Sequence, residues 1–186
     1  MSRQWVNLSG PGSRSFTCGF CGHVVSSNQG WFTTNQPQEF VFVCPHCTRP
    51  VYFGDVGQVP GVAPGNDVGH LPEVTAKLYK EARMCVAAGA PTSSVLASRK
   101  LLMHIAVEQG APTGASFMAY VEYLAKSGYV PPNGKGWVDH IRKKGNEANH
   151  EIVLMTTEDA AELVSFSEML LKFIYEFPNR VPGSKP

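Results

Sequence analysis

The apolar positions change rhythm once along the chain. Toward the N-terminus they come in short bursts, Phe16 and then Phe40-Val-Phe-Val43. Such β-prone runs beside turn residues predict short strands. From Pro72 the spacing becomes three and four. Val74, Leu78, Ala82 and Cys85 form one stripe, which predicts a helix that Gly89-Ala-Pro91 ends and that takes Cys85 into its core. Thr92 or Ser93 is placed to cap the next helix. That helix runs to about Glu108 and is apolar nearly all round, from Val95 and Leu96 to Ala106 and Val107, so it is expected at the centre. Arg99 interrupts it as a structural arginine, and His104 is expected as an interior histidine. Phe117, Tyr120, Val121 and Leu124 predict a third helix ending near Gly128. After a Pro-Pro-Asn-Gly-Lys-Gly break, Val138, Ile141, Gly145, Ala148 and Ile152 give a fourth. Thr156 is placed to cap a fifth, with Leu163, Phe166, Leu170, Phe173 and Phe177 inward and Pro178 as its stop.

These elements predict an α+β chain: a small N-terminal β module followed by an antiparallel bundle of four to five helices. Residues 1–53 form the module, of which 1–15 read as a loosely ordered lead-in. Residues 54–71 are dense in Gly and Pro without a period and read as a linker or a strap. Residues 72–178 form the bundle and 179–186 a mobile tail.

Cysteine spacing adds the chemistry. Cys18-Gly-Phe-Cys21 and Cys44-Pro-His-Cys47 are two Cys-x2-Cys pairs with 22 residues between them. Each pair can sit on a tight turn that aims both thiolates at one tetrahedral ion, so all four are expected to hold one structural Zn2+ in a zinc ribbon. Four thiolates complete the shell and leave no open catalytic position. His23 and His46 flank the turns and are expected at the surface. The other reading of the cysteines, two disulfides or four buried thiols, is opposed by the spacing and by the compartment. The chain carries no evident secretory leader and no apolar run near the ~18 residues of a membrane helix. The cytoplasm is therefore the expected location and no membrane the expected context; in that compartment paired cysteines favour metal.

Sixteen Lys and Arg balance fifteen Asp and Glu, for a formal charge of +1. Only a local patch could therefore favour nucleic acid. In the ribbon, Trp31, Phe32 and Phe20 are candidate stacking groups, and Arg14, His23, His46 and Arg49 candidate phosphate contacts. The same aromatics could instead fill the ribbon's own core. In the fourth helix Arg142, Asn146 and His150 recur at four-residue steps away from the apolar face, beside Lys143 and Lys144. A helix does not need that stripe to fold.

The run Arg142-x3-Gly-Asn-x-Ala-x-His150 resembles the hallmark of a helical domain of unknown function, over roughly residues 72–180. That family is found joined to type I restriction motor subunits and in stand-alone bacterial defence proteins, and it is placed near the HEPN superfamily of RNA-cleaving helical bundles. The resemblance implies a HEPN-like bundle, a homodimer through it, and service in a bacterial or phage genome-conflict system beside RNA, DNA or an effector protein. Active HEPN motifs place four to six residues between an Arg and a His, often as Arg-Asn-x3-His, in which His moves the ribose proton and Arg stabilises phosphate charge. Here Gly145 stands where that Arg belongs. Arg142 lies outside the usual spacing, and Lys144 has the spacing without the planar fork. Three readings follow. One is an adaptor with a degenerate motif that binds nucleic acid or protein. Another is a metal-independent endoribonuclease dimer using His150 and Asn146 with Arg142 or Lys144. In the third, Asn146 and His150 make internal hydrogen bonds and function lies in the ribbon.

Overall fold

The computed structural model describes residues 5–6, 9–34, 36–131, 134, 136–141 and 154–180. The chain is α+β and divides into two compact units, Met1–Ala63 with Ala87–Gly89, and Pro64–Val86 with Ala90–Pro186.

The first unit is an antiparallel sheet. Its strands are β1 (Trp5–Val6), β2 (Ser9–Thr17), β3 (Val24–Thr33), β4 (Phe40–Val43), β5 (Pro50–Gly54) and β6 (Gly57–Val59). They run in the order β1-β3-β4-β5-β6, with β2 also on β3. The expected lead-in is thus largely strand. Ser9 pairs with Gln29 and Arg14 with Ser27, and the uneven interval forms a bulge. Gly10 and Gly12, at φ 118° and 78°, sit in that bulge with Pro11 between them, so the proline removes no regular ladder bond. The polar composition of the lead-in concealed this pairing. On the inner side Phe16, Phe42 and Phe53 meet at ring-centroid distances of 5.2 to 6.1 Å, with Val51 beside them. β6 falls inside the segment read as linker, because Gly57 turns the chain back on Gly54.

The second unit contains α1 (Glu73–Ala87), α2 (Pro91–Glu108) and α3 (Phe117–Lys126). Helical residues 136–141 (α4) follow, then α5 (Thr157–Leu171), a π-turn (Lys172–Glu176) and α6 (Phe177–Arg180). α2 is central as expected and packs on α3 and α5. Leu101, Leu102, Ile105, Val121, Leu124, Phe166 and Leu170 fill the interior, joined by Val138 and Ile141 of α4. Among the described residues no helix is long and apolar enough to cross a membrane.

Several expectations are corrected. The inward stripe of α1 is Thr75, Tyr79 and Ala82, while Val74 is 72% exposed. Tyr79 decides this by bringing the larger apolar surface and a hydroxyl that reaches the Asn66 carbonyl. α2 begins at Pro91 without a side-chain cap, because Thr92 Oγ1 accepts from the Met155 N–H instead. His104 is exposed, 3.7 Å from Glu108 one turn on. Phe173 and Phe177 also face outward, since the π-turn shifts the helical register after Leu171. There the Phe177 N–H reaches back five residues to Lys172, and the helix passes Pro178 and continues to Arg180.

Residues 64–71 lie along the helices as a strap. Glu168 accepts from the Asn66 backbone and side chain at 2.9 and 3.1 Å, and buried Glu176 accepts from the Gly69 N–H at 2.9 Å. Arg83 donates to the Pro64 and Gly65 carbonyls and pairs with Asp67.

Candidate metal centre and adjoining residues

Each cysteine pair is held by the same backbone turn. The Cys18 carbonyl accepts from Gly22 and the Cys18 N–H donates to His23, at 2.8 and 2.9 Å. The Cys44 carbonyl accepts from Thr48 and the Cys44 N–H donates to Arg49, at 2.8 and 3.0 Å. The fourth position after each first cysteine is left-handed, φ 72° at Gly22 and 59° at Thr48. Glycine adopts that conformation without strain, whereas the β-branched threonine does not. The ends of β2, β3, β4 and β5 bring the two turns together.

All four sulfurs lie within 4.8 Å of one another, and Cys18–Cys47 and Cys21–Cys44 are 3.7 and 3.8 Å apart. All four are free thiols, far beyond the ~2.05 Å of a disulfide. A Zn–S bond of about 2.3 Å would place tetrahedral sulfurs roughly 3.8 Å apart. The donor set and its edge lengths therefore fit a four-coordinate thiophilic ion, and the cluster fits a zinc ribbon. Cys18 and Cys44 are fully buried; Cys21 and Cys47 form the outer edge.

The electrostatics favour a cation. Burial pushes the Cys18 thiol up, against the opposing N–H groups of Cys21 and Phe20. Burial also pushes Cys21 up to about 12, with neighbouring sulfurs adding to the rise. At Cys44 burial is overcome by the backbone N–H groups of Cys47 and His46 and by sulfur hydrogen bonds, which bring it to about 7. The Cys44 thiolate forms readily, whereas Cys18 and Cys21 resist. A bound cation removes that conflict by taking all four as thiolates.

Trp31 is half-buried on β3 opposite Val41, and Phe32 meets Phe40 at 6.5 Å. Exposed Arg14 covers the inner Phe53 ring at 4.0 Å. Exposed Phe20 carries the Arg49 guanidinium at 5.2 Å. His23 and His46 are exposed, as expected, and stack face to face at 3.7 Å.

In the second unit Arg142, Lys143, Lys144, Asn146 and His150 lie outside the described residues. Just before them, His140 meets Glu162 at 2.6 Å, joining α4 to α5. Sequence reasoning missed this pair because its partners are 22 residues apart on different helices. Arg99 is buried with its guanidinium 4.6 Å above the Phe117 ring, and burial lowers its pKa. Cys85 is partly buried on α1. The family model of a domain of unknown function, DUF4145, matches residues 80–185. The chain belongs to that family. Its DUF4145 region thus begins within α1 and takes in every later helix. Comparison with curated proteins and with solved structures returns no match.

Proposed function

We propose that this chain is a zinc-stabilised adaptor whose ribbon and DUF4145 bundle bind partners without performing hydrolysis at the metal. The observation that carries this reading is the closed set of four cysteine sulfurs at tetrahedral edge lengths. Such a site holds structure and leaves no position for a reacting water. Bound as four thiolates, Zn2+ leaves a formal charge of −2 at the site. Residues 1–63 supply only Arg3, Arg14 and Arg49 against Glu39 and Asp55, and residues 64–186 balance thirteen basic against thirteen acidic residues. That balance favours a protein partner over a polyanion, leaving Arg142 to Lys144 as the one local basic run for RNA or DNA. The exposed, edge-to-face pair Phe173 and Phe177 supports an aromatic contact surface on the bundle, the kind of surface a homodimer or an effector protein would cover. The family resemblance supplies the wider setting, a HEPN-like module of a cytoplasmic bacterial or phage defence system. That step rests on family analogy.

The test is RNA cleavage by the purified chain with chelator present, beside His150→Ala. The adaptor reading expects no cleavage above the variant on single-stranded or structured RNA. Cleavage lost in the variant would replace it with the endoribonuclease reading.

A further inference from the structure

We infer that Cys21, His23 and His46 form a second, outer metal site that takes a borderline divalent cation such as Zn2+, with the Cys21 thiolate bridging to the inner ion. The three donors, one sulfur and two imidazoles, have ligand atoms within 4.8 Å of one another. Thiolate and imidazole together suit zinc and its first-row neighbours and disfavour Mg2+ or Ca2+. Cys21 lies on the outer edge of the four-cysteine cluster, and both histidines are exposed, so an ion can enter from solvent.

Two further observations point the same way. His23 Nδ1 lies 3.0 Å from the Cys21 carbonyl oxygen, to which its N–H donates. That bond fixes the tautomer and leaves Nε2 as the free lone pair, the arrangement that orients metal-binding histidines elsewhere. The four-thiolate inner site would carry −2 with Zn2+ bound, and residues 1–63 set Arg3, Arg14 and Arg49 against Glu39 and Asp55, a surplus of one positive charge. A second cation at the bridging sulfur offsets the remainder. The stacking sets a condition: the His23 and His46 rings stand 3.7 Å apart at an interplanar angle of 19°, so their in-plane lone pairs lie in nearly parallel planes and a shared ion requires one ring to turn. His23 is tied to Cys21, whereas exposed His46 is placed to turn about its Cα–Cβ bond. With three protein donors the outer ion keeps an open position for water or another ligand, unlike the inner one.

The inference rests on the four-cysteine reading only through the shared Cys21, and metal stoichiometry separates the two. The full chain, prepared with one equivalent of zinc, is titrated with Zn2+ against a chromophoric chelator. The wild type is expected to take a second, weaker equivalent, and the double variant His23→Ala/His46→Ala to bind that equivalent more than roughly tenfold more weakly. The first equivalent should remain in both. With cadmium in the inner site, its NMR line should shift when the second ion enters the wild type and hold still in the variant. Saturation of the wild type at one equivalent would overturn the outer site, as would an unchanged second equivalent in the double variant. Loss of the first equivalent from the double variant would make the histidines inner ligands and overturn both readings.

Discussion

The two units of this chain are held by different means. Among the described residues of the helical unit, 22 buried ones form one continuous apolar core. In the sheet unit the core is Phe16, Phe42, Val51 and Phe53 together with two cysteines, Cys18 and Cys44. A module with so small an apolar core buries too little to fold on apolar contacts alone, whereas the helical unit rests on apolar burial. A structural zinc on the four sulfurs would contribute on the order of 10–16 kcal/mol to such a module.

Removing a ligand should separate them most sharply. Cys18→Ser is expected to abolish stoichiometric zinc and unfold the sheet unit, while the helical circular dichroism and its cooperative melt persist. Retention of one tightly held zinc by the variant would break the comparison. The mirror experiment is Phe166→Ala. Phe166 is fully buried and meets Trp137 edge to face at 5.0 Å. Its truncation should cost the helical unit about 3–5 kcal/mol in a denaturant melt and leave zinc content at one per chain. Loss of zinc alongside the helices would mean that the two foldings are coupled.

A smaller effect tests the strap. Hydrogen bonds from Lys172 and Asn66 outweigh the effect of burial at Glu168 and hold its pKa below the ordinary 4.5. The ionised carboxylate is thus favoured in the folded state, and its contribution is present above pH 4.5 and lost as pH falls through the lower folded value. Glu168→Gln should destabilise the helical unit by about 1–2 kcal/mol at neutral pH. Urea melts should show that difference narrowing below pH 4.5. A difference that stays constant into acid would mean that the amide loses packing and geometry, with charge unimportant.

The same contrast explains what could be read from the sequence. Cysteine pairs announce themselves by local spacing, so the gathering of Cys18, Cys21, Cys44 and Cys47 is legible before any fold is known. Strong helical periodicity places Phe117, Tyr120, Val121 and Leu124 inside, where they are found. Pairing that depends on the rest of the chain leaves little local trace. Polar β2 is a strand because β3 lies beside it, and Gly57 makes β6 out of apparent linker. Phe173 and Phe177 continue the apolar spacing of α5, yet a π-turn after Leu171 carries them outward. Nor does spacing bring His23 onto His46, or His140 onto Glu162; tertiary structure does.

The smallest predicted effect lies within the sheet unit, where the two cysteine turns can be compared with each other. They share their hydrogen bonds and their left-handed fourth residue, but one uses Gly22 and the other Thr48. A left-handed conformation costs a residue with a Cβ roughly 1–2 kcal/mol. Glycine recovers that cost and returns part of it, up to about 1 kcal/mol, to the more flexible unfolded chain. Thr48→Gly should therefore stabilise the unit by about 0.5–1 kcal/mol. In a unit that binds its ion only when folded, the gain should read out as zinc binding tightened by roughly two- to fivefold. Gly22→Thr should weaken it by more, since it adds strain where none exists. The Thr48 hydroxyl donates to the Cys47 carbonyl at 2.7 Å, next to a ligand. Weaker zinc binding in Thr48→Gly would assign the larger effect to that hydrogen bond, and the threonine would then be retained as a brace for Cys47 at the cost of strain.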